Sequence, residues 1–378
     1  MEEPKITIIT VCLNCEKTIE QTIQSVINQK YKNLEYIIID GCSKDNTKEI
    51  INKYNKYITK YISEPDFGIS DAMNKGVKLA TGDLISFLNG DDWYAIGALQ
   101  KIACIYQKTK ADIVCADVNF IFQDKIIGRT NVTSWNVNNL KLGLGGGCRF
   151  QGVFIKASLQ KQYYYDLKYK VCADIKLLSI WLSNGCSFEF SDQVVANYRL
   201  GGFSNNGLKY LCCKEMYQVA RKLAIQNNIL TKEHEKVLRE VYIMRLAFVI
   251  CERMSNNLRN RNYFLKQFGD SSKIYLFAFG IYGIRFYQLL KQLNIYSYGI
   301  IDNNRKIWGE NIFGQQIQKP DSLRSLSDGT IVITSFSAEK QIMSQIQQMQ
   351  LNHDIKIITL KDFCIKVAKD YVHDRFGN

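Results

Sequence analysis

The sequence predicts an α/β protein with a mainly parallel sheet in its first half, a helical connector, and a second, smaller α/β domain. Three observations carry that expectation. Apolar, β-branched runs alternate with helical stretches between Lys5 and Val118. No proline or glycine interrupts residues 208–268. A fresh strand–turn–helix pattern begins at Lys273. The 378-residue length suits two or three domains, and 46% hydrophobic against 22% charged residues favours packed cores over disorder.

In order, Lys5–Cys12 (KITIITVC) and 34–39 (LEYIII) read as strands. Between them Thr18–Gln29 carries Ile19, Ile23, Val26 and Ile27 on one helical stripe. Ser43 opens a turn and a helix continued by Ile50, Ile51 and Tyr54. Ile58–Ile62 is a third strand, Ile69–Leu79 a helix, Leu84–Leu88 a fourth strand, Ala95–Tyr106 a helix, and Ala111–Val118 strand-like. Such alternation implies right-handed crossovers, helices on both faces, and ligands past the carboxyl ends of the strands. Residues 119–205 are less regular. They hold Gly143, Gly145, Gly146 and Gly147, an apolar run Gly152–Ile155, a helix near Ala173–Leu182, and a closing Gly201-Gly202-Phe203-Ser204. They read as the rest of the first domain, carrying a second substrate. The domains expected are 1–207, a connector over 208–270, and 271–378.

In the last domain, Lys273–Phe279 is a strand, Gly280–Gly283 a tight turn, Ile284–Leu293 a helix, and Tyr296–Ile301 a strand ending in Asp302. Ile331–Thr334 and Lys356–Leu360 are further strands around a helix with Met343, giving a small Rossmann-like unit. Gly280 and Gly283 lack the spacing of a dinucleotide fingerprint, although Asp302 stands where a ribose-binding acid would. A packing or assembly role is favoured; a dinucleotide-dependent activity is the alternative.

Lys plus Arg outnumber Asp plus Glu by 49 to 36, and residues 206–270 alone hold 12 against 6. A basic helical segment suits packing on the first domain, an anionic membrane surface, or a homo-oligomer contact. No nucleic-acid-binding motif accompanies the charge, so no nucleic-acid partner is expected. The opening MEEPKITIIT is strand-like rather than a signal peptide, and no run approaches membrane-spanning length, so a cytoplasmic protein is expected. Cys12 and Cys15 form one CxxC spacing without a second pair or a nearby histidine, so the 12 cysteines read as reduced thiols.

Acidic residues gather at the ends of successive strands: Asp40; then Asp66 and Asp71 in Glu64–Gly76; then Asp91 and Asp92 after Ile85–Gly90. One such residue is ordinarily a cap or turn former. Three clusters converging on one crevice suggest a site, and adjacent carboxylates call for a cation such as Mg²⁺ or Mn²⁺. His234, His353 and His373 all lie outside residues 1–205, so a base there must be a carboxylate. Asp174, opening an apolar helix, is the candidate; a plain helix cap is the alternative.

These motifs resemble family 2 nucleotide-sugar glycosyltransferases of the GT-A fold, over residues 1–205. The resemblance rests on Ile8–Asn14 with Ile19, Ser25 and Gln29; on Ile37–Thr47; on Ser63–Gly76; and on Leu88–Asp92 in the place of the metal-binding motif. It implies that Thr10, Val11 and Asn14 line the nucleotide pocket, and that Asp40, with Ser43, recognises uracil. It places Asp66, Asp71, Asn74 and Lys75 along the nucleotide, Asp91 on ribose or sugar hydroxyls, and Asp92 on the metal, Mn²⁺ or Mg²⁺. Asp174 would be the general base. Gln151 and Gly152 would lie beside the acceptor, and Tyr165, within Tyr163–Tyr165, would touch it. Ala196, Tyr198, Gly201, Gly202 and Ser204 would form the closing segment. Gly90, and Val171-Cys172-Ala173 before Asp174, depart from the family pattern. The implied reaction is inverting hexosyl or N-acetylhexosaminyl transfer from a UDP-sugar to a saccharide. A lipid-linked acceptor for bacterial surface polysaccharide (capsule, O-antigen or lipopolysaccharide) at the inner face of the membrane fits that family. A nucleotidyltransferase, a nucleotide-sugar hydrolase and a noncatalytic assembly protein remain alternatives.

Overall fold

A computed structural model describes residues 3–134, 149–200, 209–226, 228, 230–269, 273–336 and 338–376. The chain divides into two compact units, Met1–Arg239 and Glu240–Asn378.

The first unit opens with the alternation that its hydrophobic pattern dictates: β1 (Ile6–Cys12), α1 (Ile19–Ile27), β2 (Leu34–Asp40), α2 (Thr47–Asn52), β3 (Lys60–Ser63), α3 (Ile69–Leu79) and β4 (Leu84–Asn89). After the short β5 (Trp93–Tyr94) come α4 (Ala98–Thr109), β6 (Ile113–Phe122), β7 (Lys125–Arg129), β8 (Val153–Lys156), α5 (Ala157–Gln162), α6 (Ala173–Ser183) and β9 (Phe188–Arg199). The nine strands form one sheet in the order β3-β2-β1-β4-β8-β6-β9-β5, with β7 on β6. β3, β2, β1 and β4 are parallel, as expected. Beyond β4 the sheet is mixed, because β8 runs antiparallel to both β4 and β6 while β9 is parallel to β6.

Alternation along β1 separates two cores. Ile6, Ile8 and Cys12 pack with Ile19, Ile23 and Val26 of α1 and Leu99 and Ile102 of α4. Ile9 and Val11 pack with Met73 and Val77 of α3 and with Leu177 and Trp181 of α6. Thus α6, which carries Asp174, docks on the same face as α3. The irregular reading of residues 119–205 is corrected within the described residues: β7, β8 and β9 are strands. The β6–β7 turn places Gln123 and Asp124 at positive φ without a glycine, so the usual hairpin signal is missing from the sequence. The glycines at 143–147 and the segment 201–204 lie outside the described residues.

Three helices follow: α7 (Lys209–Gln226) in the first unit, α8 (Lys232–Ser255) across the division, and α9 (Arg261–Phe268) in the second. The second unit continues with β10 (Ile274–Phe277), α10 (Ile281–Gln292), β11 (Ser297–Ile301), β12 (Asn311–Ile312), β13 (Gln315–Gln318), β14 (Gly329–Ile333), α11 (Glu339–Gln348), β15 (Ile355–Thr359) and α12 (Leu360–Phe376). Its strand order is β12-β13-β11-β10-β14-β15, parallel except for the β12–β13 hairpin, and it places the strand-order reversal at β10. There Gly283 is required: a Cβ would meet Thr334 Oγ1 at 2.8 Å and the Ala278 carbonyl at 2.9 Å. The Asp302 carboxylate accepts the Phe279 and Asn304 N–H groups at 2.6 and 2.7 Å, so it fastens the turn that a ribose-binding acid would leave open. Among the described residues no helix is long and apolar enough to cross a membrane.

Candidate active site

Parallel pairing brings the carboxyl ends of β1 and β2 level, with Cys12 opposite Asp40. Asp40 is fully buried. Its oxygens accept the Ser43 N–H at 3.0 Å, the Ser63 hydroxyl at 2.6 Å, and the Ser43 hydroxyl. Asn14 takes a left-handed conformation (φ 52°), donating its N–H to Ser43 Oγ at 2.8 Å while its Oδ1 accepts the Lys44 N–H at 2.9 Å. These bonds tie the β1 and β2 loops into one rim. Thr10 and Val11 lie beneath it: both are buried, and Thr10 Oγ1 is bonded to the Tyr36 hydroxyl at 3.1 Å.

The third loop is held by its own acids. Asp66 accepts the Gly68 N–H at 2.8 Å, and Asp71 accepts the Phe67 N–H at 3.1 Å. A Cβ on Gly41 would come within 2.6 Å of Asp66 Oδ2, so the glycine admits this loop to the rim. Two residues expected along the nucleotide are bonded within the protein. Lys75 Nζ is bonded to Glu64 and to the Pro65 carbonyl, each at 2.8 Å. Asn74 is buried, with its amide bonded to the Tyr165 carbonyl and N–H, both at 2.9 Å.

Asp91 and Asp92 follow β4 but have opposite surroundings. Asp92 is fully buried, accepting the Gln151 amide at 2.6 Å and the Arg199 N–H at 2.9 Å. Burial first, then the Asp91 charge, holds its carboxyl well above the usual carboxylate range. Asp91 is partly exposed, and among the described residues its carboxylate takes no hydrogen bond from another residue. Burial also raises its carboxyl, opposed by its own N–H and the Arg199 guanidinium. Arg199 donates to the Asp91 carbonyl at 3.3 Å and stands over the Trp93 ring at 4.8 Å. Gly90 has a steric reason: a Cβ would lie 2.7 Å from Cys12 Cβ. Among the described residues, no three His, Cys, Asp or Glu side chains gather as a metal cage. Of the two acids after β4, Asp91 is the one whose carboxylate takes no hydrogen bond from another residue among the described residues, whereas both Asp92 oxygens are bonded.

Asp174 lies in the first turn of α6, partly exposed, with Oδ1 accepting the Ile175 N–H at 2.7 Å. Burial pushes its carboxyl up to about 6, opposed by that N–H and by Arg149. The same Arg149 charge lowers Asp92. The Arg149 guanidinium lies over the rings of Tyr198 at 4.9 Å and Phe120 at 5.5 Å. Next to it Phe150 packs on Tyr165 and on Trp181 of α6, with centroids 6.2 and 6.5 Å apart, and Gln151 reaches Asp92. Residues 149–151 therefore join the acidic end of β4 to the helix α6.

The three residues expected on the acceptor side are all buried. Gln151 is buried and supports Asp92. Gly152 is buried, and a Cβ there would meet the Ala116 carbonyl at 2.4 Å. Tyr165 is only 3% exposed and packs edge-on against Phe87, whereas Tyr164 is 41% exposed. Ala196 and Tyr198 lie on β9, with Ala196 paired to Tyr94 of β5. Sequence reasoning missed Arg149, Arg199 and, on α7, Glu215. None sits in a short motif, and folding alone brings them to these loops.

Residues 7–153 match glycosyl transferase family 2, and residues 270–358 match the C2185-like, N-terminal family. The PGL/p-HBAD biosynthesis glycosyltransferase of Mycobacterium bovis (BCG / Pasteur) is 29% identical over 255 residues, covering 65% of this chain and 96% of that protein. The putative teichuronic acid biosynthesis glycosyltransferase TuaG of Bacillus subtilis is 34% identical over 102 residues, 26% of this chain and 40% of TuaG. The crystal structure of Staphylococcus aureus TarS 1-349 with UDP-GlcNAc shares the fold, with a TM-score of 0.50 and 17% identity, covering 64% of this chain and 71% of that one. With the acid-lined strand ends and the mixed sheet of the first unit, these matches make the chain a glycosyltransferase whose residues 7–153 are similar to family 2, with the GT-A fold in its first unit and a second α/β unit following in sequence.

Proposed function

We propose that the first unit transfers a hexose or N-acetylhexosamine from a UDP-sugar to a saccharide hydroxyl, with inversion and with a divalent cation. The observation that carries this reading is the bridge of residues 149–151: one segment touches both the acid pair after β4 and the helix of Asp174. A donor seated on the first and an acceptor on the second would meet at one centre.

The nucleotide would rest on the rim of Asn14, Asp40 and Ser43, with Asp66 and Asp71 shaping its third side. Within the acid pair the roles move by one residue relative to the sequence expectation. Both Asp92 oxygens already hold protein donors, so Asp92 acts as an internal anchor. Asp91 offers an open carboxylate to a hard cation, Mg²⁺ or Mn²⁺, whose remaining ligands would be diphosphate oxygens and water. When bound, such an ion supplies charge neutralisation on the departing diphosphate.

Asp174 would accept the proton of the attacking hydroxyl. A carboxyl raised to about 6 is still ionised at neutral pH and is a stronger base than an ordinary aspartate. One displacement, with attack opposite the departing group, turns an α-linked donor into a β-glycoside. The biosynthetic names of the mycobacterial and Bacillus relatives support a lipid-linked acceptor or a growing surface polymer, and the basic excess of residues 206–270 supports peripheral contact with an anionic membrane. The test is a panel of nucleotide-sugars and saccharide acceptors, reading nucleotide release and linkage of the product. A β-linked product with UDP release is expected. Donor hydrolysis without transfer, or pyrophosphate release, would replace this reading with a hydrolase or a nucleotidyltransferase.

A further inference from the structure

The segment that delivers Asp174 is held from outside the strand-end loops. Residues 166–172 run from Asp166 to the start of α6 without forming a helix or strand. Glu215, in the middle of α7, is buried at 4% exposure. Its Oε1 accepts the Lys170 N–H at 2.8 Å, and its Oε2 accepts the Val171 and Cys172 N–H groups at 2.9 and 3.0 Å. Three consecutive amides thus converge on one carboxylate, two residues before Asp174. A second contact lies beside it: the Cys172 thiol donates to the Cys212 carbonyl at 3.6 Å, one turn earlier on α7.

A buried carboxylate is costly unless charge or several donors compensate it. Here the compensation is the backbone of this one segment, so the segment can take only the path that gives Glu215 all of its donors. We propose that Glu215 is a positioning residue for glycosyl transfer: it fixes the main chain of residues 170–172 and thereby aims Asp174 at the acceptor. This rests on the reading of Asp174 as the base. It also makes α7, a helix in the stretch that the sequence presented as a connector, part of the catalytic machinery of the first unit.

The groups around Asp174 are Arg149 before β8, Tyr165 on the chain ahead of α6, Cys172 beside it, and Glu215 on α7. Lys176, two residues along α6, is paired with Asp166. Removing Glu215 frees the three N–H groups and takes away one negative charge. The first effect lowers turnover; the second moves the acid limb of the rate profile to lower pH, because the Glu215 charge opposes ionisation of Asp174.

The experiment is a double-mutant cycle on the full chain with Glu215→Ala, Asp174→Asn and the pair, supported by Glu215→Gln, which keeps one acceptor oxygen. UDP affinity and thermal unfolding are measured on every variant. Glu215→Ala is expected to lower kcat roughly 10–100-fold with UDP affinity unchanged, and Glu215→Gln to recover part of the loss. In the Asp174→Asn background, Glu215→Ala should cost nothing further. An equal loss in both backgrounds, or a loss matched by the unfolded fraction, would overturn the positioning role and leave Glu215 as a stability residue. Near-normal turnover of Asp174→Asn alone would instead sink the reading of the base. If Glu215→Ala does not fold, Glu215→Gln carries the same cycle through its smaller loss and its shifted acid limb.

Discussion

The two sides of the candidate site are built differently. The candidate donor side comes from four loops, residues 12–16, 40–47, 63–71 and 89–92, each leaving the carboxyl end of a neighbouring parallel strand. Its acids are close in sequence to the strands that aim them. The candidate acceptor side, Asp174 with the segment 166–172 that leads to it, is assembled only through the mixed half of the sheet and the docking of α6 and α7, with Arg149, Phe150 and Glu215 as distant supports. A short motif can encode the first side. The second depends on long-range packing, so its working residues are spread among bystanders.

Predictions can break that contrast or sharpen it. The largest effect belongs to the base. Asp174→Asn should lower kcat about 10²–10⁴-fold while UDP affinity stays near wild type. Loss of both together would merge the two sides. Next, Asp91→Asn should lower metal-dependent UDP affinity and turnover in parallel, by on the order of 10²–10³-fold in kcat/KM, consistent with several kcal/mol of charge stabilisation. Calorimetry with metal and with chelator checks it; affinity equal in both would remove the cation from Asp91. Gln151→Ala should act from behind, weakening metal affinity about 10–100-fold. It also leaves a buried Asp92 oxygen without its donor, a cost of about 1–3 kcal/mol read in denaturant unfolding.

Gly90→Ala should destabilise by about 1–3 kcal/mol, because the new Cβ falls 2.7 Å from Cys12 Cβ. An unchanged unfolding midpoint would mean that the turn relaxes freely. The smallest effect is on stability against pH. The Asp174 carboxyl is raised to about 6 in the folded chain, above its unfolded value of about 3.9. The folded state therefore binds the proton more tightly, and this group's contribution to stability falls as pH rises from about 4 through 6. Asp174→Asn should raise Tm above pH 6 by a few degrees and lose that gain near pH 4. The same ionisation sets the wild-type acid limb, with kcat/KM falling below about pH 6.

Legibility followed the same division. The apolar runs located β1, β2, β4 and the start of β6, and the pattern of Ile69–Leu79 matches α3. In the second unit β10, β14, α11 and β15 were equally plain. The β6–β7 hairpin was hidden because its turn uses Gln123-Asp124 rather than glycine at positive φ. At the site, Asp40, Asp91 and Asp174 could be singled out because charges at the ends of apolar elements stand out in a sequence. Which of Asp91 and Asp92 faces outward could not be read, since it depends on Gln151 and Arg199, 59 and 107 residues away from Asp92. Tyr165 was expected to touch the acceptor from its place in an aromatic cluster, whereas Phe87 and Phe150 pack against it. Glu215 looked like one charge on a basic helix until the amides of residues 170–172 closed on it.

The most direct test of the account is a crystal structure of the full chain with UDP and Mn²⁺, using the anomalous signal to locate the ion. The expected result is manganese on the Asp91 carboxylate and on the diphosphate, Asp92 still bonded to Gln151, and Asp174 facing the terminal phosphate across an open space of about one sugar. Manganese on Asp92, or a bound nucleotide with Asp174 on a separate surface, would contradict it.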